Sequence, residues 1–427
     1  MKKLDYKWVT AGICFLMIFV GLGFCSSIQG LFVAPLTDAL GISRSTLSVR
    51  DSCRYVATAV VNIFFGSLVA KFGTKKLIFA GFVCLIISSF IYGLATNIYM
   101  FYLGGVFLGI GLSWTTTTMI GCVVGRWFEE KRGTVMGAIL AANGLGGAVA
   151  TQIVTPIIYD KSDKFGYRKA YLLMALILFI TAVIVMIFFK QSPKEFSKHT
   201  VRDGHKKTKG DAWQGLEFSQ ATKKAYFYLT VVCVFFTGMI LQGITGIAAA
   251  HIADVGIDSA FLAIVISTHS IFLSIFKFGS GVLHDKFGLK VSANTSSVAA
   301  VLAMILLALV TPSVTGKIFA VLYGILSALA LPLETIMLPL YASDLFGEKS
   351  FNKIMGIFVS VNTAGYALGA PLMNLCHDIF GDYKISLILS GTMMFIVLIA
   401  LQIVFRSGEK QREVTINKEK KYEDSKG

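Results

Sequence analysis

Twelve runs of predominantly apolar residues, each near the roughly 20 residues that cross a hydrocarbon core, fill most of this 427-residue chain. They lie near residues 8–31, 47–70, 77–96, 100–124, 133–158, 169–190, 226–248, 260–283, 291–311, 317–341, 354–376 and 385–405. In lipid, a run of this length satisfies its own backbone N–H and C=O groups only as a helix. The sequence therefore predicts an all-α membrane protein with twelve transmembrane helices. A composition of 55% hydrophobic and 15% charged residues, with a mean hydropathy of +0.72, excludes an ordinary soluble globule.

The 39 Lys and Arg against 24 Asp and Glu give a net charge of +15, and their placement is uneven. Most fall before the first run, in the loops that follow even-numbered runs, between runs six and seven, and in the C-terminal tail. Retention of basic loops on the cytoplasmic side then puts both termini in the cytoplasm of a multi-pass protein of the cell (plasma or inner) membrane. The charge is read as topological bias with affinity for anionic membrane lipids, and no nucleic acid partner is expected. Met1-Lys2-Lys3 imitates the start of a signal peptide, but the apolar run continues past Gly21 and Gly23 without a convincing cleavage site and is read as a retained span. The seven cysteines all sit inside apolar runs without metal-type spacing and are read as packing residues. No metal and no cofactor is expected. Without a phosphate-binding loop, ATP drive is not expected, and no nucleophile and base pairing suggests an enzyme.

Two loops are near copies. Gly66-Ser-Leu-Val-Ala70-Lys71-Phe72-Gly73-Thr-Lys75 and Gly281-Val-Leu-His-Asp285-Lys286-Phe287-Gly288-Leu-Lys290 share six of ten positions. Each closes one apolar run and opens the next, so the chain reads as two pseudo-symmetric six-helix bundles, the arrangement of transporters that rock about a central site. The predicted units are 1–190 for the first bundle, 191–225 for a basic cytoplasmic linker, 226–405 for the second bundle and 406–427 for a charged tail with no apolar face long enough to fold alone. Glycines cluster in run four (Gly104, Gly105, Gly109, Gly111) and run five (Gly137, Gly144, Gly146, Gly147), where small residues let helix backbones approach closely.

The repeated loop resembles the signature loop of the major facilitator superfamily, which implies that fold. Gly281, Asp285, Gly288 and Lys290 fit its pattern, while the first copy keeps Gly66 and Gly73 but has Ala70 where the acid stands. In that family the acid helps latch the bundles in the outward-facing state, so these positions are the expected conformational latch, lacking its acid in the first half. Gly41-Ile-Ser43-Arg44-Ser-Thr-Leu47-Ser48, the stretch from Arg126-Trp127-Phe128 through Lys131-Arg132-Gly133 to Gly137 and Asn143-Gly144, and Asp344-Leu-Phe346-Gly347 are similar to bacterial monocarboxylate carriers and oxalate:formate antiporters.

An ionisable side chain deep in a span is costly unless paired or wet, so each is a candidate. Lys277 stands eight residues before Asp285, about 12 Å along a helix. The carriers that this chain resembles place a cation there, usually arginine, to attract the substrate carboxylate. Ser270 and Ser274 share its helix face. Glu334, between Pro332 and Pro339, is placed at similar depth to neutralise Lys277 in an empty site, to exchange protons, or to receive a substrate amine. Arg50 and Arg54 are one turn apart and Asp51 is within reach of Arg54, giving a net positive patch that faces the entry path. His251 matches a histidine often seen in these carriers, and His269 lies two turns from Lys277; either can titrate near neutral pH or act as a hydrogen-bonded packing residue. Asn143, Gln242, Asn362 and Tyr366 complete the expected substrate site, with Gln29, Trp114 and Thr117 ranked lower; Glu334, His251, His269 and Asp51 are the proton-coupling candidates.

The function expected is a secondary active transporter that moves a small organic anion, a carboxylate, by rocker-switch alternating access, with protons or a counter-anion as the coupling partner and a monomer as the working unit. The rival is a proton-driven exporter of drugs or amphiphiles with the same fold; a substrate-sensing receptor without flux is a third class.

Overall fold

The computed structural model describes residues 6–128, 132–160, 162–190, 215–347 and 349–424, and of residues 125, 132–134, 352 and 415–424 the backbone alone. Most of the linker, residues 129–131 of the loop after run four and the end of the tail lie outside the described residues. Every regular element among the described residues is helical.

The chain begins with α1 (Tyr6–Ile18), which passes into a π-helical turn (Phe19–Phe24), a 3-10 turn (Gln29–Phe32) and α2 (Val33–Leu40). The first bundle continues with α3 (Arg44–Phe72), α4 (Thr74–Leu94), α5 (Ile98–Thr115), α6 (Thr117–Trp127), α7 (Arg132–Ile158) and α8 (Gly166–Phe188). After a short α9 (Phe218–Ala221), the second bundle holds α10 (Ala225–Asp254), α11 (Ser259–Ala308), α12 (Val314–Ala330), α13 (Pro332–Thr335), α14 (Met337–Phe346), α15 (Phe351–Phe380) and α16 (Lys384–Asp424). Eleven described helical stretches are long and apolar enough to cross a membrane. One of them, α11, has 50 residues and breaks at Gly288 (φ 79°, ψ 175°). At 1.5 Å per residue it would run about 75 Å unbroken, so it contributes two crossings and the total is twelve.

Gly288 and Gly73 confirm the repeat at the level of backbone. Gly73, between α3 and α4, has φ 76° and ψ 160°, nearly the conformation of Gly288. A side chain is strained at such a φ, which is why both copies keep glycine there. Gly347, between α14 and α15, repeats it again (φ 81°, ψ −175°).

Within the first bundle α5 packs on α3 and α4, and α4 on α8; within the second, α11 packs on α12 and α16, and α10 on α15. The α5 glycines are required by contact: a Cβ on Gly105 or Gly109 would strike the carbonyl oxygens of Arg50 or Arg54 on α3. Apolar side chains also face outward. Ile388, Phe395, Ile396, Ile399 and Ile403 leave about half or more of their surface free along α16, as a lipid-facing stripe does. At the mouth of α11, Asp258 accepts from the Phe261 backbone N–H (2.9 Å) and pairs with Lys317 (3.3 Å); these bonds hold its carboxyl below the usual range.

Helix α16 continues without a break from the last span to Asp424, because extending a helix already nucleated in the bundle needs no new nucleus.

Candidate substrate site

The bundles meet along two seams, α3 against α15 and α7 against α11. On the first seam Arg44 binds Asp254 through both guanidinium Nη atoms, with Nη2 to Oδ1 at 2.7 Å. The backbone N–H groups of Arg44 and Ser45, at the start of α3, donate to Asp378 at 3.1 and 2.9 Å. Asn374 donates to Ser48 (2.7 Å), and Ser52 donates to the Ala367 carbonyl. On the second seam Ser274 donates to the Ala141 carbonyl (2.7 Å) and Gln152 to Ser267 (2.9 Å). A Cβ on Gly144 would run into the Ser270 carbonyl. The bonds of the first seam and Gln152–Ser267 lie toward the end away from the termini or near mid-span, and Ser274–Ala141 lies close to mid-span. Past Tyr55 on α3, no described hydrogen bond joins α3 to α15. The cleft is closed at that far end and parted at the end that carries the termini.

Between the seams lies a cavity of about 360 Å³. It forms where helices are interrupted. The π-helical turn and the irregular residues after it expose Ser26 and Ser27; the break between α5 and α6, at Thr116 (φ −120°, ψ −145°), exposes Thr116 to Thr118. In the second bundle Pro332 and Pro339 withhold two backbone donors, and α12 to α14 break around Glu334. The Glu334 carbonyl, released from helical bonding, accepts from Asn362 Nδ2 and the Tyr366 hydroxyl, each at 3.2 Å. Broken helices that line a cavity at this depth are how membrane proteins bring backbone and side-chain polarity to a solute.

Lys277, Arg54, Glu334, Asn143, Gln242, Tyr366 and His269 all line this cavity. Arg54 donates to Ser26 (3.2 Å), and its guanidinium lies 4.3 Å from the centre of the Tyr55 ring. Tyr55 donates to Gln242 Oε1 (3.1 Å), and Gln242 donates to Glu334 Oε1 (3.0 Å). Glu334 Oε2 has no hydrogen-bond partner among the described residues. Lys277 likewise makes neither a hydrogen bond nor an ion pair with any described residue, so Lys277 and Glu334 share the cavity without touching. His269 is tied to Ser327 by Nδ1 (2.7 Å).

Other expected residues fall elsewhere. His251 is buried, with Nε2 on the Leu307 carbonyl (3.0 Å) and its ring edge-on to Tyr383, and does not line the cavity. Asn362 sits behind Glu334 and reaches only its backbone. Asp51 lines a small adjoining cavity and pairs with Arg50 at 3.8 Å, not with Arg54. Arg50 is 1% exposed and turns away, donating to the Gln29 carbonyl (3.0 Å) and Tyr171 (3.3 Å), so Arg54 alone of the two faces the cavity. At the parted end, Asp285 is exposed and its one ion pair among the described residues is with His284 (3.6 Å), which binds Asp344 (2.9 Å) within the same bundle. Gly66 and Gly281 have open space around them. The residues expected to form a latch make no described hydrogen bond or ion pair to the other bundle. Tyr55 and the hydroxyls of Thr58, Thr245 and Thr335 were not singled out from sequence and line the cavity too.

The family model of the Major Facilitator Superfamily matches residues 13–333 and 230–425. The chain belongs to this superfamily. A curated superfamily relative, the uncharacterized MFS-type transporter YcxA of Bacillus subtilis, is 25% identical over 267 residues; the match covers 61% of this chain and 62% of that one. Monocarboxylate transporter 2 of Homo sapiens is 21% identical over 436 residues, covering 96% of this chain and 88% of the relative. The crystal structure of nucleoside transporter NupG superposes with a TM-score of 0.74 over 94% of this chain and 99% of that one, at 14% identity, a likeness of fold. The chain is thus a multi-pass membrane transporter of the facilitator type and not an enzyme.

Proposed function

We propose that this protein is a secondary transporter of small organic anions that works by alternating access. The observation that carries the reading is the pair of cations, Arg54 from the first bundle and Lys277 from the second, that face one central cavity with no acid among the described residues paired with either. An anion bridging them would draw the two bundles together around itself, and this coupling of binding to closure is what alternating access requires. The likeness to a monocarboxylate transporter supports the anion class. Glu334, hydrogen-bonded by Gln242 on one oxygen only, is the site proposed for proton exchange; the alternative coupling is exchange against a second anion.

In this reading residues 1–190 and 226–405 are the moving units, joined by the basic linker 191–225. The excess of Lys and Arg near the termini supports a cytoplasmic position for that side of a cell membrane, next to anionic lipids. The closed Arg44–Asp254 end then faces outward and the parted end inward. The protein acts as a monomer, since each chain holds a complete cavity.

The test is thermal stabilisation of the purified protein by a panel of mono-, di- and tricarboxylates, amino acids and amphiphilic cations, because a ligand of the folded state raises Tm. A carboxylate that stabilises the protein, and fails to do so in Lys277→Ala, supports the reading. Stabilisation by amphiphilic cations alone overturns it in favour of an exporter.

A further inference from the structure

The cavity is asymmetric in what it offers a ligand. Its donors of full charge are Arg54 and Lys277. Around them, five of the lining hydroxyls have committed their protons to the protein: Thr58 and Ser113 donate to the Gly109 carbonyl (3.1 and 2.9 Å), Thr116 to Leu112 (2.6 Å), Thr245 to Leu241 (2.8 Å) and Thr335 to Leu331 (3.4 Å). A hydroxyl has one proton and two lone pairs, so a side chain that donates to the backbone turns acceptor capacity toward the cavity. The Tyr55 and Gln242 donors are likewise directed along a chain that ends on Glu334 Oε1. These acceptors come from four separate helical regions, α3, α5 with its break, α10 and α13, and therefore surround the cavity.

A bare short-chain carboxylate has acceptors only. It would satisfy the two cations and leave the surrounding oxygens to water. The volume of about 360 Å³ also falls in the range of sites that enclose much larger ligands, on the order of 300–1,000 Å³. The geometry points to a polyhydroxylated carboxylate, a sugar acid by chemical class, as the substrate: its carboxylate meets Arg54 and Lys277, and its several hydroxyls donate to the threonine and serine oxygens that line the cavity. Dispersed acceptors match many donors along a carbon chain better than the single ammonium of an amino acid. A site built to pair with substrate hydroxyls discriminates strongly against the analogue that lacks them, since its polar groups are then left unpaired.

This inference rests on the anion-carrier reading, and the experiment separates the two. Binding of gluconate, hexanoate, glucose and alanine to the purified full-length chain is measured by tryptophan fluorescence and competition. The expected result is gluconate at least about tenfold tighter than hexanoate, glucose and alanine, with the gluconate preference reduced several-fold in Thr58→Val and Thr245→Val. These variants keep shape and delete the acceptor, and their unaltered Tm establishes folding. Hexanoate binding as tightly as gluconate, or a preference unchanged in both valine variants, overturns the sugar-acid inference and leaves an anion carrier. Tighter binding of alanine assigns the acceptors to an ammonium and overturns it as well. Binding of no carboxylate at all sinks both readings together.

Discussion

Asp254→Asn should release the far end of the cleft. The Arg44 guanidinium makes two bonds to the Asp254 carboxylate and one to the Tyr383 hydroxyl (3.1 Å), and the two side chains are 10% and 32% exposed. That places the pair between an exposed salt bridge, worth about 0–1 kcal/mol, and a buried one, whose breakage costs about 3–5 kcal/mol. The asparagine keeps one acceptor, loses the charge, and sets an amide N–H₂ against a guanidinium N–H. A loss of about 2 kcal/mol results, and at about 1.4 kcal/mol per decade the ratio of far-end-closed to far-end-open molecules falls roughly 30-fold. The seam does not vanish, because Asp378 still receives the first N–H groups of α3 and Asn374 still holds Ser48.

The assay is a distance distribution between spin labels on Asp38→Cys and Lys384→Cys, two exposed positions beside the seam on opposite bundles, in a background without the native cysteines. Arg44→Gln should move the distribution in the same direction, and the double variant should add little to either single one, because both delete the same pair. A ratio that changes by less than about threefold in both single variants would refute the reasoning. So would a double variant whose shift equals the sum of the two, since the residues would then act independently.

Three further outcomes are expected. Lys277→Ala should abolish substrate uptake into proteoliposomes without lowering expression or Tm, because Lys277 makes no hydrogen bond or ion pair with any described residue; uptake at the wild-type rate would remove Lys277 from the site. Glu334→Gln should remove the pH dependence of uptake if this carboxylate carries the proton, and an unchanged profile would leave it a structural partner of Gln242. Gly144→Ala and Gly146→Ala should part company: the first meets Ser270 on the other bundle and should push the equilibrium away from the far-end-closed state, whereas the second meets Phe19 in its own bundle and should lower Tm at a cost of about 1–3 kcal/mol.

The sequence was most legible where polarity and lipid conflict, and least legible where polarity is ordinary. Apolar length alone places the crossings, and the shared Phe-Gly of the two loops announces turns whose backbone angles agree within about 15° at Gly73 and Gly288. Lys277, Arg54 and Glu334 stand out because a charge inside a span needs a reason. The threonine lining does not, because Thr295, Thr363 and Thr392 make the same bond to the carbonyl four residues back on exposed faces where no cavity exists. Residue type there carries no signal, and only the interruption of neighbouring helices decides which hydroxyls meet a ligand. Arg50 shows the same dependence from the other side. Sequence spacing puts it on one face with Arg54, yet the 3-10 turn at Gln29–Phe32 frees a carbonyl that Arg50 caps, and the charge is spent on structure. An interruption with proline on either side, as around Glu334, can be read in advance. One made by Gly21 and Gly23 in a π-helical turn, or by Thr116 alone, cannot, and it is likewise unannounced breaks, the 3-10 turn that Arg50 caps and the irregular residues at Ser26 that Arg54 meets, that decide which of two neighbouring arginines belongs to the site.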